Sequence, residues 1–102
     1  MTIKTYLSFD VGTKRTGIAI ANSLTAHASG IETILHNKDG STNWAQIEQS
    51  VSKHQPHKFI VGLPLDNDNK EQEMTFIARS FGRKLEQRFN IEVIFIDEYL
   101  SS

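Results

Sequence analysis

Apolar residues along this chain follow two rhythms. Residues 3–9 are β-rich and partly alternating, and Ile18-Ala19-Ile20-Ala21 within residues 17–21 is again strand-like. The few Gly, Thr and Lys residues between them predict a hairpin. Residues 28–35 predict a third, edge-type strand, with Ile31 and Thr33 alternating against Glu32 and Ile34. After a turn at 37–41 the rhythm becomes helical: Trp44, Ile47, Glu48 and Val51 fall at i, i+3, i+4 and i+7. Asn43 with Gln46 has the spacing of a capping box, and Pro56 closes the helix. Residues 58–63 are almost continuously apolar, the pattern of a central strand covered on both faces. A polar loop at 64–69 follows. Met74, Ile77, Ala78, Phe81 and Leu85 then form the buried stripe of a helix over about 70–89, with Asn90 as its stop. Residues 91–96 predict a fifth strand that ends in Asp97-Glu98.

The order β-β-β-α-β-α-β predicts an α/β fold in which the first three strands form an antiparallel meander. The later strands, reached through helical crossovers, run parallel to the first. Asp10, the loop after Leu63 and Asp97-Glu98 then emerge at one edge of the sheet, outside the carboxyl ends of strands, where ligands of open α/β sheets bind. At 102 residues, 38% hydrophobic and 23% charged, the chain reads as one globular domain spanning 1–102. No apolar run reaches membrane-spanning length, so no membrane partner is expected. The absence of cysteine excludes disulfides and thiolate metal sites, and makes the cytoplasm the default location. A net charge of −1 gives no general attraction for polyanions, so nucleic-acid binding requires a local basic patch.

Asp10 is the exception in its apolar strand. A lone carboxylate there sits at a rim, accepts hydrogen bonds or holds a cation; alternatively it caps the turn as an Asx residue. Gly12 permits positive φ or close backbone approach, and Lys14 and Arg15 set two positive charges beside the acid. Asp97 and Glu98 are brought to the same edge by topology. Clustered carboxylates near phosphate suit Mg²⁺ or Mn²⁺, and two such ions can activate water for phosphodiester hydrolysis; alternatively Asp97 or Glu98 begins a following helix. Asp66 and Asp68 read as loop residues, with Asp68 or Asn69 capping the long helix. Arg79, Arg83, Lys84 and Arg88 read as a solvated basic face that can also meet phosphates. His27, His36, His54 and His57 lack zinc spacing and read as surface residues. Trp44, Phe81 and Phe89 read as core rather than as base-stacking residues.

Three segments in order, Phe9-Asp10-Val11-Gly12-Thr13-Lys14-Arg15-Thr16-Gly17-Ile18-Ala19, Ile60-Val61-Gly62-Leu63-Pro64-Leu65 and Asp97-Glu98-Tyr99-Leu100-Ser101, resemble the YqgF (RuvX-like) family of Holliday-junction resolvases and pre-16S rRNA processing nucleases. The resemblance spans essentially the whole chain. It implies an RNase H-like fold, a five-stranded mixed sheet with helices packed on it. It also implies Mg²⁺-dependent (or Mn²⁺-dependent) phosphodiester cleavage of structured RNA or branched DNA. Asp10 and an acid of the Asp97-Glu98 pair would be the catalytic metal ligands, with Glu98 favoured for its longer arm and Asp97 orienting it. Gly12, Thr13, Lys14 and Arg15 would meet the nucleic-acid backbone. Tyr99 departs from the family pattern, which has Arg at that place, and the family's C-terminal helix with its further Asp lies beyond the motifs present. A symmetric junction substrate would call for a homodimer; a monomer is the alternative. Two rivals stand beside this reading. Asp-x-Gly-Thr also resembles the phosphate loop of actin-like ATPases and sugar kinases, and a non-catalytic nucleic-acid-binding module would use the same basic turn.

Overall fold

The pairing of β1 (Thr5–Val11) with β2 (Arg15–Asn22) sets the phase of the whole sheet. In this computed structural model, which describes residues 3–24, 29–65 and 73–99 (backbone alone at 65, 98 and 99), the two strands are antiparallel, with Phe9 opposite Ile18 and Asp10 opposite Gly17. β3 (Ser29–Leu35) continues the meander. Helix α1 (Trp44–His54) leads to β4 (Lys58–Leu65), and α2 (Glu73–Phe89) precedes β5 (Val93–Tyr99). β4 pairs parallel to β1 and β5 parallel to β4, giving the strand order β3-β2-β1-β4-β5. This is the α/β, five-stranded mixed sheet expected from the alternation of periods, and the fold is RNase H-like.

Alternation assigns the two faces. Leu7, Phe9 and Val11 of β1, Ile18 of β2, Ile34 of β3 and Phe59, Val61 and Leu63 of β4 share one buried face. Ile47 and Val51 of α1, and Ala78, Phe81 and Leu85 of α2, close the same core. Its centre is aromatic: Phe9 packs edge-on to Phe59 at 5.6 Å and tilts against Phe81 at 5.3 Å, and Trp44 stacks on Phe81 at 5.4 Å. These ring pairs add to area burial and fix β1 one residue before Asp10. Trp44, Phe81 and Phe89 are thus core, as their spacing predicts. Among the described residues nothing covers the opposite face, which carries Ser8, Asp10, Ile60, Ile94 and Ile96. The expectation that 58–63 is covered on both faces fails here. The run is apolar because Ile60 lies in a row between Ser8 and Ile94 and is screened by its neighbours sideways.

Helix boundaries follow their local chemistry. Asn43 Oδ1 accepts from the Gln46 N–H at 3.3 Å, the first half of the box expected, while the return bond comes from the Asn43 side-chain Nδ2, donating to Gln46 Oε1, rather than from its backbone N–H. Gln55 ends α1 and Asn90 ends α2 in left-handed conformation, at φ of 45° and 54°. The buried stripe of α2 is rotated from the one its sequence predicts. Thr75, Ala78, Phe81, Gly82 and Leu85 are buried, whereas Ile77 is exposed and Met74 half-buried. The cause is Gly82: a Cβ there would lie 2.5 Å from the Phe95 ring, so the helix approaches β5 along its smallest residue. Asp66, Asp68, Asn69 and His27, and residues 70–72 of the expected long helix, lie outside the described residues.

Candidate functional site

All three parallel strands run further than their apolar cores suggest, and this changes where the acids sit. β1 continues to Val11, so Asp10 lies inside the strand and pairs with Gly17 rather than ending it. β4 continues through Pro64 and β5 through Tyr99, pairing Leu63 with Asp97 and Pro64 with Glu98. The segment 64–65 is therefore strand, not loop, and Asp97 and Glu98 do not begin a helix. β4 pairs with β1 only as far as Val61, so on that side Pro64 has no ladder bond to lose.

Register then sorts the acids by face. Ser8 lies level with Ile60, and Ile60 with Ile94; a period of two carries this face to Asp10 on β1, Gly62 on β4, and positions 96 and 98 on β5. Asp97 falls in the other phase, with Val93 and Phe95 on the helix-covered side, although it is itself exposed at the sheet edge. Asp10 and the backbone position of Glu98 thus share an edge and a face, separated by one intervening strand and offset by two residues. Asp97 and Glu98 come to the same edge as Asp10 in opposite phases of β5. Adjacent residues of a strand face opposite ways.

The paired row through Asp10 reads Thr33, Gly17 and Asp10 from β3 to β1; beyond the last β1–β4 pair, Gly62 and Ile96 follow in the same phase on β4 and β5. Gly17, with no side chain of its own, leaves the carboxylate standing in a trough on the β2 side. An open pocket of about 270 Å³ there is lined by Asp10, Gly12, Arg15, Gly17 and Thr33. Asp10 is exposed, and among the described residues it forms no ion pair with Lys14 or Arg15. Nor does it cap the turn. The turn is held by the Gly12 N–H donating to the Arg15 carbonyl at 2.9 Å and the His36 N–H donating to the Lys14 carbonyl at 2.9 Å. Gly12 does not use positive φ; it is needed because a Cβ would lie 2.7 Å from the Arg15 carbonyl oxygen. Arg15 shares the face of Asp10, two residues before Gly17. Thr13 and Lys14 are exposed at the tip of the turn.

The other basic candidates do not converge on this trough. Arg88 lies 4.5 Å over the Trp44 ring, and Arg79 is half-buried and engaged, so the basic face of α2 is partly committed to packing. His36 is not a surface residue. It is half-buried, its Nε2 is hydrogen-bonded to Thr16 Oγ1 at 3.0 Å, and its Nδ1 is buried without a partner among the described residues. Sequence reasoning passed over Gly17 and Gly62. Glycine inside an apolar strand is a signal for close approach of another group.

The described residues contain no group of three His, Cys, Asp or Glu side chains. The donor chemistry at Asp10 still fits a hard cation. Mg²⁺ keeps several waters and takes one or two carboxylates plus phosphate oxygens, rather than an all-protein cage, and Asp10 offers an exposed carboxylate without a competing cation. Among the described residues no helix is long and apolar enough to cross a membrane.

Comparison with known proteins agrees with the sheet and the motifs. The family described as "RuvX: Holliday junction resolvase" matches residues 4–102. The chain is 43% identical over 102 residues to a protein of Aeromonas salmonicida named "Putative pre-16S rRNA nuclease", covering all of this chain and 72% of that one. A Shewanella oneidensis protein of the same name is 40% identical over the same length and coverage. Among solved structures, Archaeoglobus fulgidus Pelota superposes with a TM-score of 0.58 at 11% identity, over 95% of this chain and 28% of that one, a likeness of fold alone.

Proposed function

The chain belongs to the RuvX family, and from that premise we propose that it is a divalent-cation-dependent endonuclease acting on nucleic-acid phosphodiesters, with Asp10 as its central acid. The observation that carries this reading is the exposed Asp10 carboxylate standing beside the strand glycine Gly17 and Arg15 at the carboxyl edge of the sheet. Glu98, in phase with Asp10, is the second acid of the site; Asp97 is not. Asp10 and Glu98 would hold Mg²⁺ or Mn²⁺, which when bound lowers the pKa of coordinated water and offsets charge on the phosphodiester.

The chain's own residues supply the rest. Gly17 lets a sugar-phosphate strand descend to the carboxylate. Arg15, on the same face, binds a phosphate oxygen and holds the strand in register. Lys14 at the tip of the turn contacts the neighbouring phosphate. The rigid Phe9–Phe59–Phe81 cluster keeps β1 fixed while this happens. By the names of its relatives, the substrate is precursor 16S rRNA or a four-way DNA junction.

Incubation of the chain with each substrate, in Mg²⁺, Mn²⁺ or chelator, tests the reading. Cleavage is expected with either ion and none with chelator. Asp10→Asn is expected to lower the rate by more than the roughly 10- to 100-fold that loss of an outer-shell partner costs. Binding of substrate without cleavage, unchanged by Asp10→Asn, would favour a non-catalytic binding module instead.

A further inference from the structure

The turn that carries the phosphate-binding candidates has a second side. Gly12 lines the Asp10 trough on the open face, and it also lines a larger cavity of about 490 Å³ on the helix-covered side of the same edge. That cavity lies between the β1–β2 turn, the loop after β3 and the first half of α2, with Thr13, His36, Phe76, Ile77 and Lys84 among its walls. Its size is in the range of small-ligand sites.

Three features say what it takes. Phe76 is 58% exposed and Ile77 40% exposed, an apolar wall that the rotated stripe of α2 leaves outside the core. Glu73 and Lys84 offset one another in charge, so a phosphate is not the natural occupant; a flat, uncharged, polar-edged ring is. The loop that forms the opposite wall is set by its own hydrogen bonds: the Asn37 N–H donates to the Ser41 carbonyl at 2.8 Å, and Asp39 Oδ1 accepts from the Ser41 N–H at 2.9 Å.

We propose that this cavity receives an unpaired nucleobase of the strand whose phosphate lies at Asp10, the strand crossing the sheet edge over Gly12 and Thr13. The base stacks on Phe76, as bases stack on aromatic platforms in single-strand binders, and meets the hydroxyl of Thr13 at its edge. The inference rests on reading the chain as a protein that handles nucleic-acid strands, and it adds that the strand is locally single. A base held in a duplex cannot enter a pocket without first being extruded.

The test measures binding of single-stranded RNA and DNA oligonucleotides in chelator, each carrying one abasic site at a different position. One position in one of the two sets is expected to weaken binding roughly 5- to 100-fold. Phe76→Ala is expected to cause the same loss on the intact strand and no further loss on the strand abasic at that position. Because Phe76 is exposed, this variant should keep the wild-type melting curve, which is checked in parallel. A flat abasic profile in both sets, or unchanged affinity of Phe76→Ala for the intact strand, overturns the proposal and leaves Phe76 as a protein contact or a bare surface residue. Asp10→Asn separates the two readings. If no substrate is cleaved yet the abasic position persists in this variant, the nuclease reading fails and the base pocket stands. Cleavage dependent on Asp10 with a flat profile has the reverse meaning.

Discussion

Single residues decide the geometry of this edge through space more than through charge. Gly12 illustrates it: its φ is ordinary, so Gly12→Ala should fail because the new methyl meets the Arg15 carbonyl oxygen and the turn must open. A loss of about 1–3 kcal/mol is expected, read as a lowered melting temperature. Glu32 carries a pH response that the structure specifies. It lies in phase with the core face of β3, accepts a hydrogen bond from the Ser50 hydroxyl and a second from Gln46 Nε2 at 2.8 Å, and these hold its carboxyl below the usual carboxylate range, the Ser50 bond contributing most. A pKa lower in the folded than in the unfolded chain means that the stabilisation is full above the unfolded value near 4.5 and is lost as pH falls through the folded one. Glu32→Gln should therefore destabilise by about 1 kcal/mol at neutral pH, and its melting curve should converge on that of the native sequence as pH drops below that value. Nothing in the sequence singled out Glu32, because a carboxylate in an alternating edge strand reads as solvent-facing. Regular pairing of Ile18 with Glu32 and of Thr16 with Ile34 puts it on the face of Ile34, toward α1.

At the scale of elements, the strands and helices were legible in the chain and their ends were not. Period and capping residues give α1 its start and stop. The ends of β4 and β5 depend instead on mutual pairing of 63–65 with 97–99, which no local propensity encodes. The stripe of α2 was misread for a related reason. A periodicity scan rewards Ile77 and ignores Gly82, although the close approach of α2 to β5 is built on Gly82. Gly82→Ala gains about 1 kcal/mol of helix propensity but inserts a methyl against the Phe95 ring, at a cost of about 1–3 kcal/mol. A net loss is expected, and Gly82→Ala combined with Phe95→Leu should recover most of it in chemical denaturation. If the single variant is more stable than the native sequence, the account of this packing is wrong.

At the scale of the molecule, the topology puts Asp10 and Asp97-Glu98 at one edge, as the element order predicts. The phase of Glu98 relative to Asp10 was not legible, because it turns on a one-residue register between strands separated by β4. Side-chain length favours Glu98 for its reach, and strand phase favours it on independent grounds. In the proposed site the same phase leaves Asp97 out. Two faces of a single turn are thereby given different tasks, phosphate on the side of Asp10 and base on the side of Phe76. The most direct check compares cation-dependent cleavage of precursor 16S rRNA and junction DNA by Asp97→Asn and Glu98→Gln, side by side. Glu98→Gln should fall to the level of Asp10→Asn while Asp97→Asn stays within about threefold of the native sequence, a difference under 1 kcal/mol in barrier. Loss of cleavage in Asp97→Asn with Glu98→Gln still active would contradict the assignment.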